Sequence, residues 1–154
     1  MTTIPTTTTA AAITDPRSLI HMSQRELDDL FTAAPTGPIP VGDTQGTAIF
    51  KPGTFVATLV RWLVFLFFWK GKVFSPATQD LLNKLSPFSI RGIRALTYMG
   101  ESWLDGKKVI VIDYSKTSFV AQKIRDEIRE VGPGVYLGKV WWGKKRVADF
   151  ALKV

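Results

Sequence analysis

The chain reads as an α+β domain: a mainly antiparallel sheet of about five or six strands, accompanied by two or three helices. Three observations lead there. Two β-rich runs are folded back on themselves at tight turns, Asp105-Gly106 and Gly143-Lys144, which mark two hairpins. Two other stretches, residues 24–34 and 118–131, carry apolar residues at helical spacing. The third is residues 55–69, which are apolar except for Thr58 and Arg61 and run directly into Lys70-Gly71-Lys72. Strands with this much apolar surface suit a sheet curled into a barrel around a ligand cavity.

The elements follow in order. Residues 1–16 are rich in Thr and Ala and read as a disordered tail, without the basic start and apolar core of a secretory signal. Residues 17–154 form a single domain, long enough to bury roughly two-thirds of its unfolded surface. Ser23 and Glu26 have capping-box spacing ahead of an amphipathic helix over 24–34. Pro35, Pro38 and Pro40 then enforce an extended link to a glycine-bearing strand over 42–51.

Residues 55–69 follow as an apolar helix with Thr54, Thr58 and Arg61 in one thin polar stripe. It falls short of the roughly 20 apolar residues that span a bilayer. Such a segment is buried, laid in a membrane interface, or used to close an apolar pocket. A strand over 69–74 comes next, then the hairpin 89–100 with 107–113. The stretch 118–131 is read as a helix with Val120, Ala121, Ile124 and Ile128 on one face and Lys123 and Glu127 as an i, i+4 pair. Gly132-Pro133-Gly134 ends it, and strands 135–142 and 146–154 form the second hairpin. In the last strand Ala148, Phe150, Leu152 and Val154 are expected inward, Asp149 and Lys153 outward.

Composition excludes several chemistries. There is no cysteine, so disulfides, iron–sulfur clusters and thiolate zinc sites are ruled out. The one histidine, His21, cannot build a two-histidine metal site; its ordinary reading is a surface residue near a helix cap. Neither a metal nor a cofactor is expected. Net charge of +7 with a pI of about 9.8 favours anionic partners, either acidic lipid or nucleic acid. Phosphate-cradling, dinucleotide-binding and nucleophile-elbow motifs are absent, as are RNP-like and helix-turn-helix patterns, so nucleic acid is disfavoured.

Two candidate surfaces emerge. If the helix over 118–131 returns the chain to the same end of the sheet, the hairpin tips meet on one rim. That rim would carry Lys107, Lys108, Lys144, Lys145 and Arg146 beside Trp141 and Trp142, with Arg61 and Trp62 of the apolar helix nearby. Indole at headgroup depth and cations facing anionic lipid suit a peripheral membrane contact. The plainer alternative is that hairpin tips are commonly lysine-rich. The second surface centres on Asp113, which ends an apolar strand at the parity of Val109 and Val111. A carboxylate among apolar side chains has its pKa raised and can act as acid or base, with Arg125 or Arg129 as partner. Equally, aspartate at a strand end is usually a solvated, structural feature. Gly138, in mid-strand, implies a bulge, a barrel corner or close approach by a ligand.

The segments Gly100-Glu-Ser-Trp-Leu-Asp-Gly106, Asp113-Tyr-Ser-Lys-Thr-Ser118, Ile124-Arg-Asp-Glu-Ile-Arg129 and Pro133-Gly-Val-Tyr-Leu-Gly138 resemble a family of small, uncharacterised bacterial proteins. More distantly, residues 69–154 are similar to the lipocalin-like GXWXG group, through Trp69-Lys-Gly-Lys-Val-Phe74 and the order of strands that follows. Here the pair reads Asp113-Tyr114, the reverse of that group's order. The resemblance implies a lipocalin-like barrel holding an apolar small molecule, and no reaction.

The resulting expectation is a protein that binds a lipid or other hydrophobic molecule and associates peripherally with an anionic membrane. It would be cytoplasmic by default, with the inner membrane surface as a further address. Trp69, Ala95, Val109, Val111, Tyr114, Tyr136 and Phe150 would line the pocket, with Asp113 and Arg125 orienting the ligand. The rival is a cyclase or isomerase of an apolar metabolite that uses Asp113 in the same pocket. A third possibility is a structural partner of a membrane complex, packed through residues 55–69. The ligand's identity and the oligomeric state are not legible.

Overall fold

A computed structural model describes residues 12–49, 69–75, 80–85, 90–117 and 122–154. The apolar run at 55–68, with Arg61 and Trp62, lies outside the described residues. So does the Thr/Ala-rich stretch 1–11.

Asp15 caps a short 3-10 helix, Pro16–His21, by accepting the Arg17 N–H at 2.9 Å. Ser23 caps α1 (Gln24–Ala33) in the expected capping box. The Glu26 N–H donates to Ser23 Oγ at 3.2 Å and the Ser23 N–H donates to Glu26 Oε2 at 2.7 Å. Leu27 and Phe31, one turn apart, bury the same side of α1.

The strands are β1 (Gly42–Asp43), β2 (Gln45–Ile49), β3 (Trp69–Ser75), β4 (Asp80–Leu85), β5 (Ile90–Glu101), β6 (Lys108–Asp113), β7 (Ile124–Gly132), β8 (Val135–Trp142) and β9 (Lys145–Lys153). They form one sheet in the order β1-β3-β4-β5-β6-β7-β8-β9-β2, with every pairing antiparallel. The protein is therefore α+β with an antiparallel sheet and two helices among the described residues. One stretch of backbone serves both ends of that order. Gly42 and Asp43 pair with Phe74 and Val73, Gln45 to Ile49 pair with Lys153 to Asp149, and only Thr44 separates the two.

Both anticipated hairpins form, with Gly106 at φ +72° and Gly143 at φ +60° in the left-handed region their tight turns require. One element assignment needs correction. Residues 124–132 are a strand, not a helix. The spacing of Ile124 and Ile128 fits a period of two as well as 3.6, and pairing with β6 and β8 selects the strand. The strand β4 falls in a stretch where no element is expected from the sequence.

The β7 assignment moves the hairpin tips. Because β6, β7 and β8 alternate in direction, the turn before Lys108 and the turn after Trp142 emerge at opposite ends of the sheet. The five basic residues do not share a rim. Instead the 102–107 turn leans back over the sheet, and its Trp103 meets Trp141 edge-to-face at 5.7 Å. Lys144 Nζ stands 3.9 Å from the Trp103 ring centroid and the Arg125 guanidinium 4.2 Å.

Alternation along the strands produces two buried faces. Phe74, Ala95, Ile110, Ile112, Tyr114, Ile124, Ile128, Tyr136, Val140, Phe150 and Leu152 share one cluster, here termed the aromatic face. Ile49, Val109, Val111, Leu137 and Ala151 pack on the other side against Leu19, Leu27 and Phe31 of the helices. Val109 and Val111 thus point away from Ala95, Tyr136 and Phe150, contrary to the expected common lining. The register explains it: Thr97 lies opposite Ile112 and Tyr98 opposite Val111, so the residues of β6 at odd numbers take the helix-covered side. Asp149, expected outward into solvent, is buried beneath α1, while Val154, expected inward, is exposed.

Candidate functional site

Lysine and aspartate are rarely buried unless paired. On the aromatic face, Lys72 and Asp126 are such a pair. Lys72 shares a face with Phe74 along β3, and Asp126 shares one with Ile124 and Ile128 on β7. Thr44 positions Lys72 from the junction of β1 and β2. Its N–H and Oγ1 donate to the Lys72 carbonyl at 2.9 and 2.8 Å, and its Oγ1 accepts the Lys72 N–H at 3.1 Å. The same residue that lets the strand change partners therefore holds the lysine in place.

The Lys72 ammonium lies 3.0 Å from Asp126 Oδ2 and donates to Tyr114 Oη at 2.6 Å. Tyr114 Oη donates in turn to Asp126 Oδ2 at 3.2 Å. Lys72 Nζ also stands 5.4 Å from the Tyr114 ring centroid and 5.3 Å from that of Phe150, within cation–π range. Burial pushes the lysine below its ordinary pKa, and the Asp126 charge and hydrogen bond oppose that shift. Phe150 owes its seat to Gly138, its partner on β8: a Cβ there would lie 2.2 Å from the ring. It is the Phe150 side chain, and not a ligand or a bulge, that approaches this glycine.

The arrangement brings one lysine, one aspartate and one phenol together beside an apolar cluster that includes Phe74, Ile112, Ile124 and Phe150. It offers hydrogen bonds to a polar end on an otherwise apolar molecule, and a path for moving a proton between Tyr114, Lys72 and Asp126. Among the described residues no group of three or more histidine or acidic side chains is placed to hold a metal ion.

The anticipated site residues divide. Tyr114, Ala95, Tyr136 and Phe150 lie on the aromatic face, and Trp69 opens β3. Tyr136 Oη donates to the Pro38 carbonyl at 2.7 Å; burial and the Glu130 charge push its phenol up to about 12. Asp113 and Arg125, opposite one another on β6 and β7, lie on the other face. Asp113 accepts from the Ser115 N–H at 2.8 Å and from Tyr98 Oη at 3.1 Å. Burial alone pushes its carboxyl up. The hydrogen bonds from Ser115 and Tyr98 and the Arg125 charge outweigh it, so Asp113 sits below the usual aspartate range, not above it. Arg125 donates to the Glu101 carbonyl at 2.6 Å and pairs with Glu127 Oε1 at 3.1 Å.

Of the anticipated membrane contacts, Trp141 is buried and Arg146 is tied to Asp28 at 2.8 Å. Trp142 and the basic residues Lys107, Lys108, Lys144 and Lys145 stay at the two tips. Lys72 and Asp126 were missed. In a strand reading of 124–132, Asp126 would have stood out as a carboxylate at the parity of two isoleucines.

No protein-family model matches the sequence, and no curated protein matches it. A solved structure, described as the crystal structure of a protein from Thermomonospora curvata, is similar to it with a TM-score of 0.61 at 17% identity. The match covers 86% of this chain and 87% of that one. What the two proteins share is the fold.

Proposed function

We propose that the protein is a lipocalin-like barrel that binds a lipid or other hydrophobic small molecule, its polar end oriented by Lys72, Asp126 and Tyr114. The observation that carries the reading is this ion-paired polar cluster buried in an apolar, aromatic surround. Binding sites for apolar ligands have that make-up: mostly hydrophobic walls with a few placed polar groups. Two facts support closure into a barrel. The stretch 42–49 pairs with both β3 and β9, and the aromatic face is buried although no described helix lies on it. The resemblance of residues 69–154 to the GXWXG group points the same way.

Organic extraction and mass spectrometry of protein purified without detergent tests the reading. A near-stoichiometric apolar compound is expected; a soluble protein that carries none and takes up none from added lipid contradicts it. Peripheral membrane association belongs to the same proposal, supported by exposed Trp142 and by Trp103 between Arg125 and Lys144. Co-sedimentation with phosphatidylglycerol vesicles but not phosphatidylcholine vesicles is the expected result.

The linked Tyr114, Lys72 and Asp126 favour a second reading, an isomerase or cyclase of an apolar metabolite. Its acid–base residues are then those three and not Asp113, which lies across the sheet. Asp126→Asn abolishing turnover while Asp113→Asn leaves it intact is the expected pattern.

A further inference from the structure

Resting on the binding-site reading above, we infer that the ligand's polar end is an uncharged oxygen, a hydroxyl or carbonyl and not a carboxylate, and that Thr97 is its second polar contact. Two independent observations carry this. The first is the pairing of Lys72. It already faces Asp126 at 3.0 Å, so its charge is matched by a carboxylate before a ligand arrives. A carboxylate added beside it would bring a further negative charge into an apolar setting with its countercharge already committed, and such a charge is expensive to desolvate. An alcohol or ketone brings hydrogen-bonding capacity without that penalty.

The second is Thr97 on β5. Its side chain is 3% exposed, and its Oγ1 has no hydrogen-bond partner among the described residues. A buried hydroxyl left without a partner is costly, and native structures rarely retain one. Its position gives it a use. Thr97 lies opposite Ile112 on β6, and Ile112 lies opposite Asp126 on β7. Residues directly opposite share a face, so Thr97 and Asp126 occupy one row of the aromatic face, two strands or roughly 10 Å apart. A ligand oxygen over Ile112 therefore lies between the Thr97 hydroxyl and the Lys72–Asp126–Tyr114 cluster. The threonine can donate to a carbonyl or exchange hydrogen bonds with a hydroxyl.

The test uses a chain-matched series, dodecan-1-ol, dodecan-2-one and dodecanoate at pH 8, each displacing Nile red from the full-length protein. The alcohol and ketone are expected to bind at least roughly tenfold tighter than dodecanoate. Thr97→Val keeps the side chain's shape and removes its hydroxyl. It should weaken the alcohol and ketone by roughly tenfold while dodecanoate is unchanged. Asp126→Asn leaves the lysine uncompensated and should reverse the order in favour of dodecanoate. Dodecanoate binding as well as the alcohol in the unaltered protein, or Thr97→Val binding the alcohol undiminished, overturns the inference and leaves hydrophobic binding standing. Failure of Nile red and all three ligands to bind overturns the binding-site reading itself.

Discussion

The two faces of the sheet both bury charge, and they use it differently. On the helix-covered face, charged groups fasten one element to another. Arg129 donates to the Phe31 carbonyl at the end of α1, to the Lys108 carbonyl, and through both terminal nitrogens to Asp105 in the hairpin turn, at 2.6 and 2.9 Å. Lys139 reaches Asp28 of α1 at 2.7 Å and Asp149 at 3.2 Å, while Gln24 bridges the same two aspartates. Glu127 accepts from the Ser102 hydroxyl and the Trp103 N–H, which holds the 102–107 turn over the sheet. On the aromatic face, Lys72 of β3 and Asp126 of β7, which are not neighbours in the sheet, meet with Tyr114 around one point. The first group holds the architecture together; under the proposed function, the second recognises the ligand.

The contrast can be broken most severely at Arg129. Arg129→Ala strands Asp105 and two backbone carbonyls, and the expected loss is about 3–5 kcal/mol in urea unfolding. The protein that stays folded should bind dodecan-1-ol as before. Next in size is Gly138→Ala, which sets a methyl against the Phe150 ring and should cost about 1–3 kcal/mol by overpacking. Unlike the arginine variant, it should also weaken ligand binding, because Phe150 flanks Lys72.

Acid separates the faces without mutation. Hydrogen bonds from Arg129 and the Lys107 N–H, with the nearby positive charges, hold the Asp105 carboxyl below its ordinary value against a smaller upward push from burial. The unfolded chain, with aspartates near 3.9, then binds more protons than the folded one in acid. The stabilisation is present above about pH 4 and fades as pH falls toward the folded value. Asp105→Asn should flatten that acid limb of the stability curve, read by thermal melts between neutral pH and about pH 2. The smallest effect sharpens the comparison best. Lys72→Met combined with Asp126→Leu replaces a buried ion pair by apolar groups and should leave stability within about 1 kcal/mol of the original. The preference among alcohol, ketone and carboxylate should disappear with it.

Much of the architecture was legible because its signals are local. The capping box at Ser23 and Glu26 fixed the start of α1, and the turns at Asp105-Gly106 and Gly143-Lys144 located two hairpins. What failed was non-local. Residues 124–132 are half charged, and their isoleucines stand four apart, a spacing that serves helix and strand alike; only the partners β6 and β8 decide between them. That error placed both tips on one rim and hid Asp126. The face of Val109 and Val111 likewise depends on register with β5, which alternation within β6 alone does not reveal. Lys72 and Asp126 are separated by 54 residues, and no local spacing links them. Tyr114 and Phe150 were placed inside because an aromatic beside an apolar run is legible without its partner.

The central claim, that the aromatic face and not the helix-covered face holds the ligand, is tested most directly by methyl NMR. Dodecan-1-ol is titrated into protein carrying labelled Ile, Leu and Val methyl groups. The account predicts saturable shifts at Ile110, Ile112, Ile124 and Ile128, with Val109, Val111 and Leu137 unmoved. Shifts confined to Val109, Val111 and Leu137, or no saturable shift at either set, would contradict it.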